Sequence, residues 1–191
     1  MKTLNPILIS GKEVLPLIEG GKGINGSDGH SSGAWAHENC VGTFSGVSPD
    51  YYDNNGNVIF ERYFKKDRPS RHEEMVEQSI KGCLAQAQIA HEVSGGKGRI
   101  HLNMLWELAG SQQILNGVLE KAKGLIHGVT CGAGLPYNLG ELASKYGVYY
   151  YPIISSARAF QVLWKRAYNR FVEFLGGVVY EDPWLAGGHN G

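Results

Sequence analysis

The chain has 191 residues, 42% of them hydrophobic, with 18 Lys+Arg balanced against 18 Asp+Glu. That length supports one sizeable core, and zero net charge gives no overall pull toward nucleic acid or acidic membranes. No apolar run approaches the roughly 20 residues of a spanning helix, and Gly11, Lys12, Glu13 and Pro16 interrupt the N-terminal apolar residues where a signal peptide needs its continuous core. Cys40, Cys83 and Cys131 are odd in number and widely spaced, without a Cys-x-x-Cys pair, which fits reduced, buried thiols and a cytoplasmic location.

Strand-like and helix-like segments alternate along the chain. Leu8-Ile9, a Ser10-Gly11 turn and Val14 to Ile18 read as a short hairpin leading into a first buried strand. A glycine loop, Gly20 to Gly29, precedes a short helix over Ser31 to Asn39 and a second strand over Val41 to Ser45. Residues 47–70 read as a polar loop insertion, whose Asn55-Gly56 step between Tyr51-Tyr52 and Val58-Ile59-Phe60 predicts a small hairpin. From Arg71 to Val93, apolar positions at three- and four-residue steps (Val76, Ile80, Cys83, Leu84, Ala87) predict a helix. Further strands are expected at Arg99 to Trp106, Leu125 to Cys131, Val148 to Ser155 and from Val178, separated by helices over Ser111 to Ala122, Leu139 to Tyr146 and Ala157 to Leu175. Strands alternating with helices at this spacing imply parallel βα units in a single domain, 1–191, either an open doubly wound sheet or the first six units of an eightfold barrel. Both architectures put ligand chemistry at the C-terminal ends of the strands, where the chain concentrates its glycines and polar residues.

Gly21-Lys22-Gly23-Ile24-Asn25-Gly26 fits G-x-G-x-x-G after a predicted strand. A dinucleotide fingerprint also requires an acidic residue ending the second strand, and here that strand ends Thr43-Phe44-Ser45-Gly46. The loop therefore reads either as a bed for another flat cofactor or as a structural turn. Gly187-Gly188-His189 after the last strand would let backbone approach a ligand beside an imidazole able to exchange protons near neutrality; a terminal tail is the bland alternative. Asn103 lies inside an otherwise apolar strand and requires a partner, a heterocyclic ligand or a neighbour in the sheet. Ser155 and Ser156 end the fifth strand without a Gly-x-Ser-x-Gly elbow, which argues against a hydrolase nucleophile. The seven histidines show no ligand spacing, and Tyr51 and Arg62 occupy positions where a calcium loop beginning there needs acids, so no metal is expected.

Together, Pro16 to Gly23, Val41-Gly42-Thr43, Asn103, Gly132 to Pro136, Pro152 to Ser156 and Ala186-Gly187-Gly188-His189-x-Gly191 resemble the nitronate monooxygenase (2-nitropropane dioxygenase) family. The resemblance implies an α/β fold of the (β/α)8 TIM-barrel type, with about the first six βα units present, and FMN held at the strand C-termini. It implies oxidation of a nitronate, or of a nitroalkane, with O2 to a carbonyl compound and nitrite. Gly21, Gly23, Asn103, Ser155, Glu181, Gly187 and Gly188 would contact the cofactor, and His189 would be the catalytic base. Glu181 stands near the position where the family usually has Gln, and Asp182-Pro183-Trp184 alters the spacing that follows. The seventh and eighth strands of a full barrel are not found in these residues, so weak FMN binding by this polypeptide alone is expected, with a missing C-terminal half or a second copy as a partner. An NAD(P)H-dependent reductase of quinones or enoyl thioesters, and an inactive or split fragment, are the alternative readings.

Overall fold

A computed structural model of the chain describes residues 4–59 and 64–185. The expected alternation is present: β1 (Ile7–Ile9), β2 (Lys12–Val14), α1 (Gly29–His37), β3 (Val41–Ser45), β4 (Tyr51–Tyr52), β5 (Val58–Ile59), α2 (Arg68–Ser94), β6 (Arg99–Leu105), α3 (Ser111–Ala122), β7 (Gly128–Gly132), α4 (Leu139–Lys145), β8 (Tyr149–Ile154), α5 (Ala157–Arg166) and β9 (Val179–Tyr180). β3, β6, β7, β8 and β9 pair in parallel in that order. Neighbours in sequence are thus neighbours in space, and the sheet curls into an α/β half barrel.

The first strand of the sheet is not Val14 to Ile18. β2 ends at Val14 inside the N-terminal hairpin, and the chain joins the sheet only through a parallel bridge between Ile18 and Val41. Pro16 explains the break, because it carries no N–H for a ladder bond. The pairing resumes on either side of Ile18: the Val41 amide donates to Leu17 O, and the Glu19 amide donates to Val41 O.

Alternation along the strands divides the sheet into two faces. Phe44, Ile100, Leu102, Met104, Val129, Cys131 and Tyr150 face the helices and form one core with Ile114, Leu115, Val118, Leu139 and Leu163. The opposite, concave face carries Thr43, His101, Asn103, Thr130 and Tyr151, all buried and, apart from the Tyr151 ring, largely polar. The β1–β2 hairpin closes the N-terminal end of this concavity. Ile9 and Val14 pack on Val41 and Tyr151, Ser10 Oγ lies 2.9 Å from His101 Nε2 and 2.8 Å from Tyr151 OH, and Arg99 Nε donates to Ser10 O at 2.8 Å.

The helices start where short polar side chains cap them. Asp28 accepts from the Ser31 amide in a capping box at α1, Asp67 accepts from Ser70 with Pro69 in the first turn of α2, and Ser156 caps α5. The polar insertion accordingly ends at Asp67, and its hairpin is present as β4 paired with β5. The last helix is much shorter than the expected Ala157 to Leu175. α5 ends at Arg166, and two 3-10 turns follow over Tyr168–Arg170 and Val172–Phe174. Burial of Tyr168 accompanies the break: its ring meets Tyr150 edge-on and its hydroxyl donates to Pro136 O at 2.7 Å. The three cysteines are buried and free, as expected, and burial pushes the Cys83 thiol up to about 12. No helix among the described residues is long and apolar enough to cross a membrane.

Candidate functional site

The strand C-termini converge on two adjoining cavities of about 560 and 280 Å³, the larger lying within the roughly 300–1,000 Å³ range of cofactor and small-molecule sites. Gly21, Asn103, Ile153 and Glu181 border both. Residues from the glycine loop, β6, β8 and the end of β9 therefore meet, although up to 160 positions separate them in sequence (181 minus 21).

The loop after the first strand is held open by its anchors. The Asn25 amide donates to Val47 O, the Ser45 amide donates to Ser27 O, and Asn25 Nδ2 donates to Asp50 Oδ2 at 2.6 Å. Ile24 and Asn25 adopt left-handed conformations with φ of 53° and 54°, unfavourable for residues bearing a Cβ. The backbone N–H groups of Gly21, Gly23 and Ile24 donate to no described residue and remain available to a ligand.

Asn103 resolves the question its sequence position raised. Its Oδ1 accepts from Thr130 Oγ1 at 2.8 Å on the paired strand. Its Nδ2 finds no acceptor among the described residues, although the residue is only 5% exposed. One half of the amide is thus structural and the other half is a donor at the cavity wall.

Glu19 is a site residue that reasoning from motifs passed over. It is 7% exposed, and its carboxylate accepts from Ser31 Oγ at 2.8 Å and from the Thr43 amide at 2.9 Å. The signal was visible as an acid between the apolar pair Leu17-Ile18 and the glycines, yet only the fold shows that this residue borders the smaller cavity. Thr130 was equally hidden within an apolar strand.

Of the expected cofactor contacts, Gly21, Gly23, Asn103 and Glu181 share the larger cavity. Ser155 follows β8 but borders neither cavity. Gly187, Gly188 and His189 lie outside the described residues. No group of His, Cys, Asp or Glu able to hold a metal exists among the described residues. Buried His101 and half-buried His127 are structural in character: desolvation and the nearby Arg99 guanidinium bring His127 down to about 4, and burial, His127 and Arg99 bring His101 to about 3.

At the larger cavity Gly21 and Gly132 present no side chain, the loop offers backbone N–H groups that donate to no described residue, and Asn103 Nδ2 has no acceptor among the described residues. No protein-family model matches the chain, and no curated protein matches it significantly.

Proposed function

We propose that this chain is an FMN-dependent oxidoreductase of the nitronate monooxygenase type, built on a partial (β/α)8 barrel, which turns alkyl nitronates and O2 into carbonyl compounds and nitrite. The observation that supports it is the convergence of the glycine loop, the unpaired Asn103 amide and Glu181 on one cavity at the C-terminal ends of parallel strands, the place where such folds bind ligands.

FMN, when bound, supplies electron transfer from the nitronate and reaction with O2. The chain's own groups supply position and proton transfer. Gly21 and Gly23 allow the ring to lie against backbone and offer N–H donors. Asn103 Nδ2 donates to a ring acceptor while Thr130 fixes the amide's orientation through Oδ1. Val47, Leu105 and Ile153 make the apolar wall that keeps water from the reacting carbon. In this reading Gly187 and Gly188 let backbone approach the ring, and the His189 imidazole removes the α-proton of a neutral nitroalkane, an exchange suited to the ordinary imidazole pKa of about 6.5.

The test is spectroscopic and kinetic. Purified chain mixed with FMN should show a perturbed, saturable flavin spectrum, and propyl-2-nitronate should then consume O2 and release nitrite. His189→Ala should retain the spectrum and lose turnover of neutral 2-nitropropane far more than turnover of the nitronate. Free-flavin spectra at all protein concentrations would refute the proposal.

A further inference from the structure

The smaller cavity has a charge character of its own. Glu19 borders it beside the Ile18 bridge and Glu181 just after β9, and no Lys, Arg or His among the described residues does so. Glu19 is held by two neutral donors, Ser31 Oγ and the Thr43 amide, which leaves part of its acceptor capacity unused. The Glu181 side chain makes no hydrogen bond or ion pair among the described residues, although its backbone amide donates to Ile154 O at 2.9 Å. Lys22 borders the larger cavity but not the smaller one, and forms no ion pair among the described residues.

Asn103 gives an independent indication of a ligand. The side chain is 5% exposed, and its unpartnered Nδ2 lies so close to the glycine loop that a Cβ on Gly21 would come within 2.8 Å of it. A ligand seated here meets the Asn103 amide and two acids, the buried Glu19 and the half-buried Glu181, with no cationic side chain among the described lining residues, so a positively charged group complements the cavity. A metal does not fit, since no suitable ligand group exists among the described residues. The remaining wall is apolar, with Ile18, Ile153 and Val179, which suits a short alkyl stem.

We propose that this inner cavity binds the ammonium group of an organic amine, with Glu181 and Glu19 as acceptors and Asn103 Nδ2 donating to an oxygen of the same ligand. In combination with the flavin reading, on which this step rests, the nitronate substrate is one that carries an amino group within a few bonds of the nitro carbon. The ammonium site itself requires no flavin.

The experiment titrates the FMN-free protein with n-butylammonium chloride, n-butanol and sodium butyrate, followed by calorimetry and by the Asn103 side-chain amide resonance. Saturable binding is expected for the ammonium salt alone. Glu181→Gln, which breaks no hydrogen bond or ion pair among the described residues, should weaken it roughly tenfold or more, while Glu141→Gln on α4 should leave it unchanged. Butanol or butyrate binding as tightly as butylammonium, or an unaltered affinity in Glu181→Gln, overturns the proposal. Ammonium binding without FMN loading would refute the flavin reading alone, and FMN loading without ammonium binding would refute this inference alone.

Discussion

Gly21 and Asn103 are in such close contact that a Cβ on Gly21 would fall within the Asn103 side chain, against both its Cβ and Cγ. Gly21 is a glycine because β6 presents its one inward amide directly beneath the loop. Gly23, two residues on, would meet nothing within 4 Å.

The pair predicts a sharp asymmetry. Gly21→Ala must displace Asn103 or the loop, at a cost of about 1–3 kcal/mol, and should abolish saturable FMN binding. Gly23→Ala should fold with wild-type stability. Urea melts and flavin titrations of the two variants check this, and equal behaviour would mean that the contact is not limiting.

Thr130 orients Asn103, so Thr130→Val leaves Oδ1 without its donor and should cost about 1–3 kcal/mol. The same variant frees the amide to rotate, so ligand affinity should fall with stability. Asn103→Leu leaves the buried Thr130 hydroxyl without its acceptor and should likewise cost about 1–3 kcal/mol of stability, with a more severe loss of flavin affinity. Comparing chemical melts with flavin binding separates the two effects.

Acid should weaken the closure of the barrel's N-terminal end. Burial first, then His127 and Arg99, bring His101 to about 3 in the folded protein against the usual 6.5. Between those values the unfolded chain binds the proton and the folded one does not. The stability contributed by neutral, buried His101 is therefore complete above pH 6.5 and is lost as pH falls toward 3, at up to about 1.4 kcal/mol per pH unit. His101→Gln, which keeps a polar group toward Ser10, should flatten the dependence of urea midpoints on pH across that window. An unchanged slope would show that His101 does not carry it.

Ile24 is 79% exposed with φ of 53°, a conformation that costs a β-branched residue about 1–2 kcal/mol. Ile24→Gly relieves that strain against the greater freedom of glycine in the unfolded chain. The expected net gain in stability is a few tenths of a kcal/mol to about 1 kcal/mol, measurable by thermal melts. A loss would show that the isoleucine side chain contributes packing that outweighs its backbone strain.

The alternation of βα units, the parallel sheet, the insertion hairpin and the glycine loop were all readable in the sequence. Each depends on local pattern: periodicity of 2 or 3.6, turn residues and caps act within a few positions of one another. Two features escaped it because a long-range contact overrode the local signal. Pro16 and the bridge from Ile18 to Val41 moved the start of the first strand, and the buried hydroxyl contact of Tyr168 with Pro136 O accompanies the early end of the last helix. The site followed the same division. Asn103 was conspicuous as a polar residue in an apolar strand, but only the register that sets it beside Thr130 assigns one half of the amide to the fold and leaves the other to a ligand. Glu19 is an ordinary acid in the sequence and Glu181 drew attention only through the family resemblance; their joint presence at one cavity follows from the curl of the sheet, which brings the segment at Ile18 and the end of β9 to the same space.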